Sequence, residues 1–350
     1  MSATLLRATA LFVAGTLLMN GAHAEVSFKG KTINIIINSK AGGGTDASGR
    51  LLGDAIAKYL PGSPRVIYRN MPGGGGIKAN NYFASKVKPD GFTLITGSRT
   101  QISPVKLLSG AAKYDPSKFE FVGGDVRLGT IFLVRKEALG RLYDEKAKPL
   151  VYGDIDGSRS GALISLWAQE YLKWNIRYVV GYSGTPAMVL AARSGELQMI
   201  ANQNSFTVDP LIESGEMIAI AQMGVRDENG VYQKRTSYPN IPLLTDTLIP
   251  KLDAKGLKAF RQMEADQAVN KWIALPQGTS AEIVASYRTA FAKATKDPAF
   301  LKVVHNEIGK DYTPLTGKQM KDIVDELAKV TKEDLEFLNK LKIKNGVPLE

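Results

Sequence analysis

The sequence predicts an α/β protein of two domains, each a mainly parallel sheet flanked by helices. Short β-branched runs alternate with helical patterns along the chain, a rhythm that brings parallel strands together beneath helices on both faces. Removal of an apparent 24-residue leader would leave 326 of the 350 residues, more than one hydrophobic core usually holds, about 250–300 residues. Two of the strand-to-helix turns are runs of glycine, which bears on function as much as on fold.

Ile33, Ile35, Ile36 and Ile37 make the first strand. Gly42, Gly43 and Gly44 let the chain turn where side chains would clash, and Thr45 or Asp46 can cap the helix that follows. The opening N–H groups of such a helix lack partners inside it and carry partial positive charge. A carboxylate or phosphate is stabilised there without any cationic side chain. A plain strand-to-helix turn would use the same residues. The second strand, 65–69, runs into Asn70, Met71, Pro72 and four glycines, Gly73 to Gly76, before a helical pattern with Ile77, Tyr82 and Phe83. Two such loops would flank one crevice at the carboxyl ends of the strands, where open α/β sheets bind ligands. Neither loop spells G-x-G-x-x-G, and the Lys–Ser/Thr pair of a P-loop is absent.

Further strands are expected at 92–96, 119–122, 130–134, 150–152, 176–180, 197–201 and 218–222. A hinge fits at Gly123 and Gly124. A return crossing fits within 223–242, where Tyr238-Pro239-Asn240-Ile241-Pro242 reads as irregular connector. The first lobe would then hold residues 25–123 and 241–350, and the second 124–240. Beyond the return, 271–274 looks like another strand, and Thr279 with Glu282 forms a capping box for a helix through Ala290. Met320, Ile323, Val324 and Leu327 share one helical face, and Thr331 to Asp334 restarts a helix carrying Leu338 and Leu341.

Residues 1–24 read as a cleaved export signal, with Arg7, an apolar run over 8–19 and Ala22-His23-Ala24 at the cleavage site. That places the mature chain in the periplasm. Zero Cys excludes disulfides and thiolate chemistry. The net charge of +11 is dispersed, without a basic run of five, which argues against nucleic acid and is compatible with acidic small molecules. His305 is the one histidine beyond the leader, no His/Asp/Glu cluster has metal-ligand spacing, and the Gly157-Ser158-Arg159-Ser160-Gly161 segment has no evident base. No catalytic residue, metal or cofactor is expected.

At this point three motifs carry a resemblance. Ala41-Gly42-Gly43-Gly44-Thr45-Asp46 follows the first strand, Asn70-Met71-Pro72-Gly73-Gly74-Gly75 the second, and Pro89-Asp90-Gly91-Phe92-Thr93-Leu94 leads through the third. Weaker echoes follow in order at Tyr182-Ser183-Gly184, Ser194-Gly195-Glu196-Leu197 and Trp272 with Pro276-Gln277-Gly278-Thr279. The chain resembles the periplasmic solute-binding proteins of tripartite tricarboxylate transporters, the Bug family. The resemblance implies a two-lobed periplasmic-binding-protein clamp, of the Venus flytrap kind, that closes as a monomer on a carboxylate and delivers it to membrane permease subunits.

Carried over, the resemblance points to Gly42, Gly43, Gly44, Thr45, Asp46, Pro72, Gly73 and Gly74 in the first lobe. In the second it points to Ser158, Ser160, Gly161, Tyr182, Ser183 and Gly184. Where the family has a Pro and an aromatic, this chain has Asn38 and Ser39 followed by Lys40, and a usual acidic position is Asn202. Losing an acid from an anion cleft removes repulsion. Lys40, Arg99 and Arg159 are the loop cations expected to face the cleft. Di-, tri- and aromatic carboxylates all fit these loops. A sensor-kinase partner built on the same clamp is the alternative, and a Gly-loop transferase a more distant one.

Overall fold

The structure is a computed structural model that describes residues 26–42, 44–108, 110–155, 157–226, 231–307 and 309–349. The expected leader and Gly43 lie outside the described residues.

The chain begins with β1 (Thr32–Ile37), α1 (Gly44–Tyr59), β2 (Arg65–Asn70), α2 (Ile77–Lys86), β3 (Thr93–Ser98), the short α3 (Pro104–Leu107) and β4 (Glu120–Val126). It crosses into β5 (Ile131–Arg135), α4 (Leu139–Leu142), β6 (Leu150–Gly153), α5 (Ser160–Leu172), β7 (Ile176–Val179), α6 (Thr185–Arg193), β8 (Met199–Asn202), α7 (Ser205–Glu213) and β9 (Met217–Gln222). The small pair β10 (Val225–Arg226) and β11 (Tyr232–Gln233) follows, then α8 (Leu244–Leu248) and α9 (Ala254–Gln267). The chain returns through β12 (Val269–Leu275), α10 (Ala281–Ala294), α11 (Pro298–Glu307), β13 (Pro314–Thr316) and α12 (Gly317–Leu327), and closes with α13 (Lys332–Lys344).

Two sheets result, ordered β13-β4-β12-β3-β1-β2 and β7-β6-β8-β5-β9. As expected, β1 is parallel to β2 and β3, and β6 to β7 and β8. Both sheets are nevertheless mixed, because β12 runs against β3 and β4, and β5 against β8 and β9. β13, which also runs against β4, follows α11 within the first lobe, while in β12 and β5 the chain has just crossed from the other lobe. Entered at the carboxyl edge of its neighbours, such a strand must run against them.

The crossings sit at 127–130 and at Ala268, and they touch: the Arg127 N–H donates to the Ala268 carbonyl at 2.9 Å. They differ from the expected 124 and 241. β4 keeps residues 120–126 in the first sheet, while Leu244, Leu248 and Phe260 of α8 and α9 bury in the second lobe's core, as does Leu341 of α13. The connector at 238–242 reads as a linker, yet Tyr238 is buried against the second lobe. The Gln222 amide donates to the carbonyls of Tyr238 and Ile241, each at 2.8 Å.

In the first lobe, α1 and α10 cover one face, with Ile35, Ile56, Tyr287 and Phe291 buried there. The other face buries Ile36, Phe83, Trp272 and Met320, the last two contributed by β12 and α12. Gly49 and Gly53 let α1 lie close to the sheet, since a Cβ would stand 2.7 Å from Thr96 Cγ2 at one and 2.5 Å from Ile35 Cδ1 at the other. That approach sets the start of α1 beside the end of β1. In the second lobe Trp167 of α5 packs on Phe260 and stacks on Phe337 of α13 at 5.2 Å. The expected helix start at Thr279 lies one residue on, at Ser280, whose side chain accepts from the Ile283 N–H. Thr279 instead donates to the Pro276 carbonyl at 2.8 Å. The restart at Thr331 carries the capping box with Asp334.

A buried ion pair spans the lobes. Arg235, which follows β11 and has a fully buried side chain, meets Asp311, which precedes β13, at 3.0 Å. The same guanidinium donates to the carbonyls of Gln203 (2.8 Å) and Gly129 (3.3 Å) and to Ser205 Oγ (3.2 Å). Thr236 Oγ1 and the Ser237 N–H donate to the other Asp311 oxygen at 2.5 and 3.1 Å. A buried charge stripped of its partner is costly. Asp311→Ala should therefore destabilise the protein by about 3 kcal/mol in urea unfolding, and Asp311→Asn by less, because its amide oxygen still accepts from Thr236 and Ser237. Equal midpoints for Asp311→Ala and the parent chain would contradict this.

Candidate functional site

The carboxyl ends of β1, β2 and β3 carry the three first-lobe loops, and a single carboxylate braces two of them. Asp46 Oδ2 accepts from the Gly42 N–H at 2.9 Å, while Oδ1 accepts from Arg50 Nε and Asn70 Nδ2, each at 2.9 Å. The Asn70 amide also reaches the Ser39 carbonyl at 3.0 Å. Burial opposes ionisation of Asp46, yet the Gly42 N–H, Asn70 and Arg50 together hold its carboxyl below the usual value. Asp46 is thus a brace between the glycine loops, with both oxygens taken by protein donors, rather than a residue open to a ligand.

Around this brace, Gly42 and Gly44 are exposed, and a Cβ at either would meet nothing within 4 Å. Lys40 is exposed, and Ser39 and Thr45 are half-buried. The second loop holds four successive glycines at positive φ, from Gly73 at 137° to Gly76 at 94°, a path that only glycine follows without strain. Gln101 pins it: the amide donates to the Gly75 carbonyl at 2.5 Å, and its oxygen accepts from the Ser98 N–H at 2.8 Å. Pro72, Gly73 and Gly74 remain exposed.

Two of the expected residues meet across the lobes, where Arg99 Nη2 donates to the Ser158 carbonyl at 3.4 Å. Both line a cavity of about 720 Å³ walled on its far side by α9 and α13. A second cavity, of about 700 Å³, lies in the second lobe and gathers Arg159, Ser160, Gly161 and Asn202. Ser160 is buried and donates to Gln267 Oε1 at 2.5 Å, which ties α5 to the end of α9. Gly161 lets α5 close on the sheet, because a Cβ would stand 2.5 Å from the Tyr152 hydroxyl. Ser183 and Gly184 lead into α6. Tyr182 does not line the cavity. Its hydroxyl donates to Glu196 at 2.5 Å, in the turn before β8. The two glycine loops line neither cavity.

Sequence reading missed three residues at the crossings. Arg127 lines the second-lobe cavity from the first crossing. Asp125 and Lys271 are cross-strand neighbours of β4 and β12. Burial pushes the Asp125 carboxyl up to about 6 despite the Asn270 amide donating to it at 2.6 Å and the nearby Lys271. Burial lowers the Lys271 ammonium, Asp125 opposes that, and Arg127 and Arg99 lower it further. Three cations therefore share one field where the lobes join. The signal was present in the sequence, as charges interrupting apolar strands at the end that meets the crossings. Among the described residues no group of three or more His, Cys, Asp or Glu could hold a metal ion, and no helix is long and apolar enough to cross a membrane.

The buried acid has a pH signature. An unfolded Asp releases its proton near pH 4, whereas folded Asp125 keeps it to about 6. The folded state binds more protons in that window, so this group's contribution to stability falls as pH rises across it. Asp125→Asn, which still offers an oxygen to Asn270, should flatten that fall by about 3 kcal/mol relative to the parent chain. Superimposable stability–pH curves for the two proteins would contradict it.

No family model matches the chain. It is 26% identical over 320 residues to a UPF0065 protein of Bordetella pertussis, covering 88% of this chain and 90% of that protein. Among solved structures it is similar to a TctC solute binding protein from Polaromonas, with a TM-score of 0.65, 19% identity and coverage of 91% and 100%. A structure from R. palustris solved with adipate gives 0.60, 21%, 91% and 98%. MatC of Rhodopseudomonas palustris, solved with bound malate, gives 0.56, 20%, 89% and 98%. The chain thus has the two-lobed periplasmic-binding-protein fold.

Proposed function

We propose that this chain is a periplasmic receptor, exported by removal of residues 1–24, that closes on a small organic acid and presents the closed form to the permease of a tripartite tricarboxylate-type transporter. The observation that carries the reading is the gathering of cations where the lobes join: Arg99 lines one cavity there, Arg127 and Arg159 line another, and exposed glycine backbone stands at the carboxyl ends of the first lobe's strands. Such a site would hold an anion, and the chain is read as a receptor rather than an enzyme. Malate and adipate in structures of the same fold agree with that ligand class.

Binding and closure are one equilibrium. A ligand that touches both lobes favours the closed state, because only there are both sets of contacts made. Partial positive charge at the start of α1 and the exposed backbone of Gly42, Gly44, Gly73 and Gly74 would receive one carboxylate. The second-lobe cations would receive the remainder. The closed form could equally be read by a sensor kinase. The same capture step serves both.

A calorimetric and thermal-shift screen of di-, tri- and aromatic carboxylates tests the reading. At least one acid should bind with micromolar affinity and raise the melting temperature, and a folded protein indifferent to the whole panel would overturn it. Two variants locate the site. Gly44 has an ordinary φ and open space where a Cβ would point, so Gly44→Val should fold within about 1 kcal/mol of the parent chain while blocking the loop. Arg159→Ala removes a charge-assisted contact and should weaken binding about tenfold or more. Unchanged affinity in both would move the site elsewhere.

A further inference from the structure

Resting on the receptor reading, we propose that Asp125 is the counter-charge that sets how strongly the lobe junction attracts an anion, so that the receptor grips its acid more tightly once this carboxyl loses its charge. Asp125 lies near the end of β4 and is 6% exposed. Lys271 of β12 stands opposite it in register, and Asn270 links the two, donating to the Asp125 carboxylate at 2.6 Å and accepting from the Lys271 ammonium at 3.3 Å. Arg127 and Arg99 both act on Lys271. The same two arginines line the second-lobe cavity and the interlobe cavity respectively. This acid therefore stands among three cations, and two of them line the space a ligand would enter.

Tyr312, ahead of β13, also feels Asp125, and burial together with that charge holds its phenol in the neutral form. Asp311, one residue earlier, is taken by Arg235. From α10, Arg288 donates to the Phe121 carbonyl at 2.9 Å, toward the other end of β4. From α12, Met320 lies against Gly124, while Lys318 and Lys321 pair along their own helix with Asp322 and Asp325 at 2.7 and 2.5 Å. An ionised Asp125 repels an incoming carboxylate and offsets the cations that would attract it, and a neutral Asp125 does neither. Burial keeps its proton on up to about 6. Its charge is thus lost between neutral and mildly acid conditions, and by reciprocity a bound anion should draw a proton onto it.

Calorimetry on the full mature chain tests the proposal, the probe being whichever carboxylate of the panel binds tightest, beginning with malate, adipate, citrate and benzoate. Asp125→Asn, which still accepts from Asn270, should bind the probe about threefold tighter than the parent chain at about pH 7.5, and the gap should close to within about 1.5-fold at about pH 5. Comparing the two proteins at each pH cancels the ligand's own titration. On the parent chain alone, binding heats near about pH 6 in buffers of different ionisation enthalpy should show uptake of roughly a few tenths of a proton beyond the ligand's own. Equal affinities at the higher pH, weaker binding by a folded variant, or a gap of the same size at both pH values would overturn the inference while leaving the receptor reading intact. So would an absence of proton uptake, a readout that needs no variant to fold. Failure of the whole panel to bind a folded parent chain would remove the receptor reading, and this inference with it.

Discussion

The buried pair of Arg235 and Asp311 is the constraint on which the arrangement of the two lobes depends. One guanidinium reaches the first lobe through Asp311, the first crossing through the Gly129 carbonyl, and the second lobe through Gln203 and Ser205. Gln203 lies next to Asn202, and both line the second-lobe cavity. The spacing of the lobes and the shape of the loop that faces the cavity are therefore set by one side chain. Such a pair is poor evidence for net stability, since desolvation offsets much of its attraction, but it strongly disfavours geometries that would separate the charges. With the Arg127–Ala268 bond between the crossings, it defines how the lobes can sit against each other.

Within that frame the lobes have different jobs. The first lobe presents backbone: glycines hold the chain open, and the brace of Asp46, Asn70 and Arg50, with Gln101 on the second loop, keeps the two turns in register. On the receptor reading, the main-chain N–H groups at these turns would meet a carboxylate. The second lobe presents side chains, with Arg159, Asn202 and Phe206 among those that line its cavity. At the junction, Asp125 partly offsets the cations of Lys271, Arg127 and Arg99, which restrains an otherwise strongly positive field.

Much of this was legible in the residues, and the misses share a cause. The Ile33–Ile37 run and the glycine turns are local signals, so β1 and the start of α1 lie where the text puts them. The crossings were misplaced because Tyr238-Pro239-Asn240-Ile241-Pro242 looks like linker, while its burial depends on Gln222 and the second lobe's core, which are distant neighbours. The resemblance placed Asp46 with the ligand residues, and the bond from Asn70 that makes it a brace comes from another strand. The hydroxyl of Tyr182, placed there by the same resemblance, is held by Glu196, fourteen residues on.

The sequence by itself determined the alternation of strands and helices, the left-handed glycine turns and the absence of thiols, because those follow from backbone sterics and from which atoms a residue carries. Only the tertiary structure decided which strands run antiparallel, where the chain changes lobes, and which charges meet. Those outcomes depend on pairings between residues far apart in the chain, such as Arg235 with Asp311 and Asp125 with Lys271. Their energies exist only once the chain has closed the loops between them.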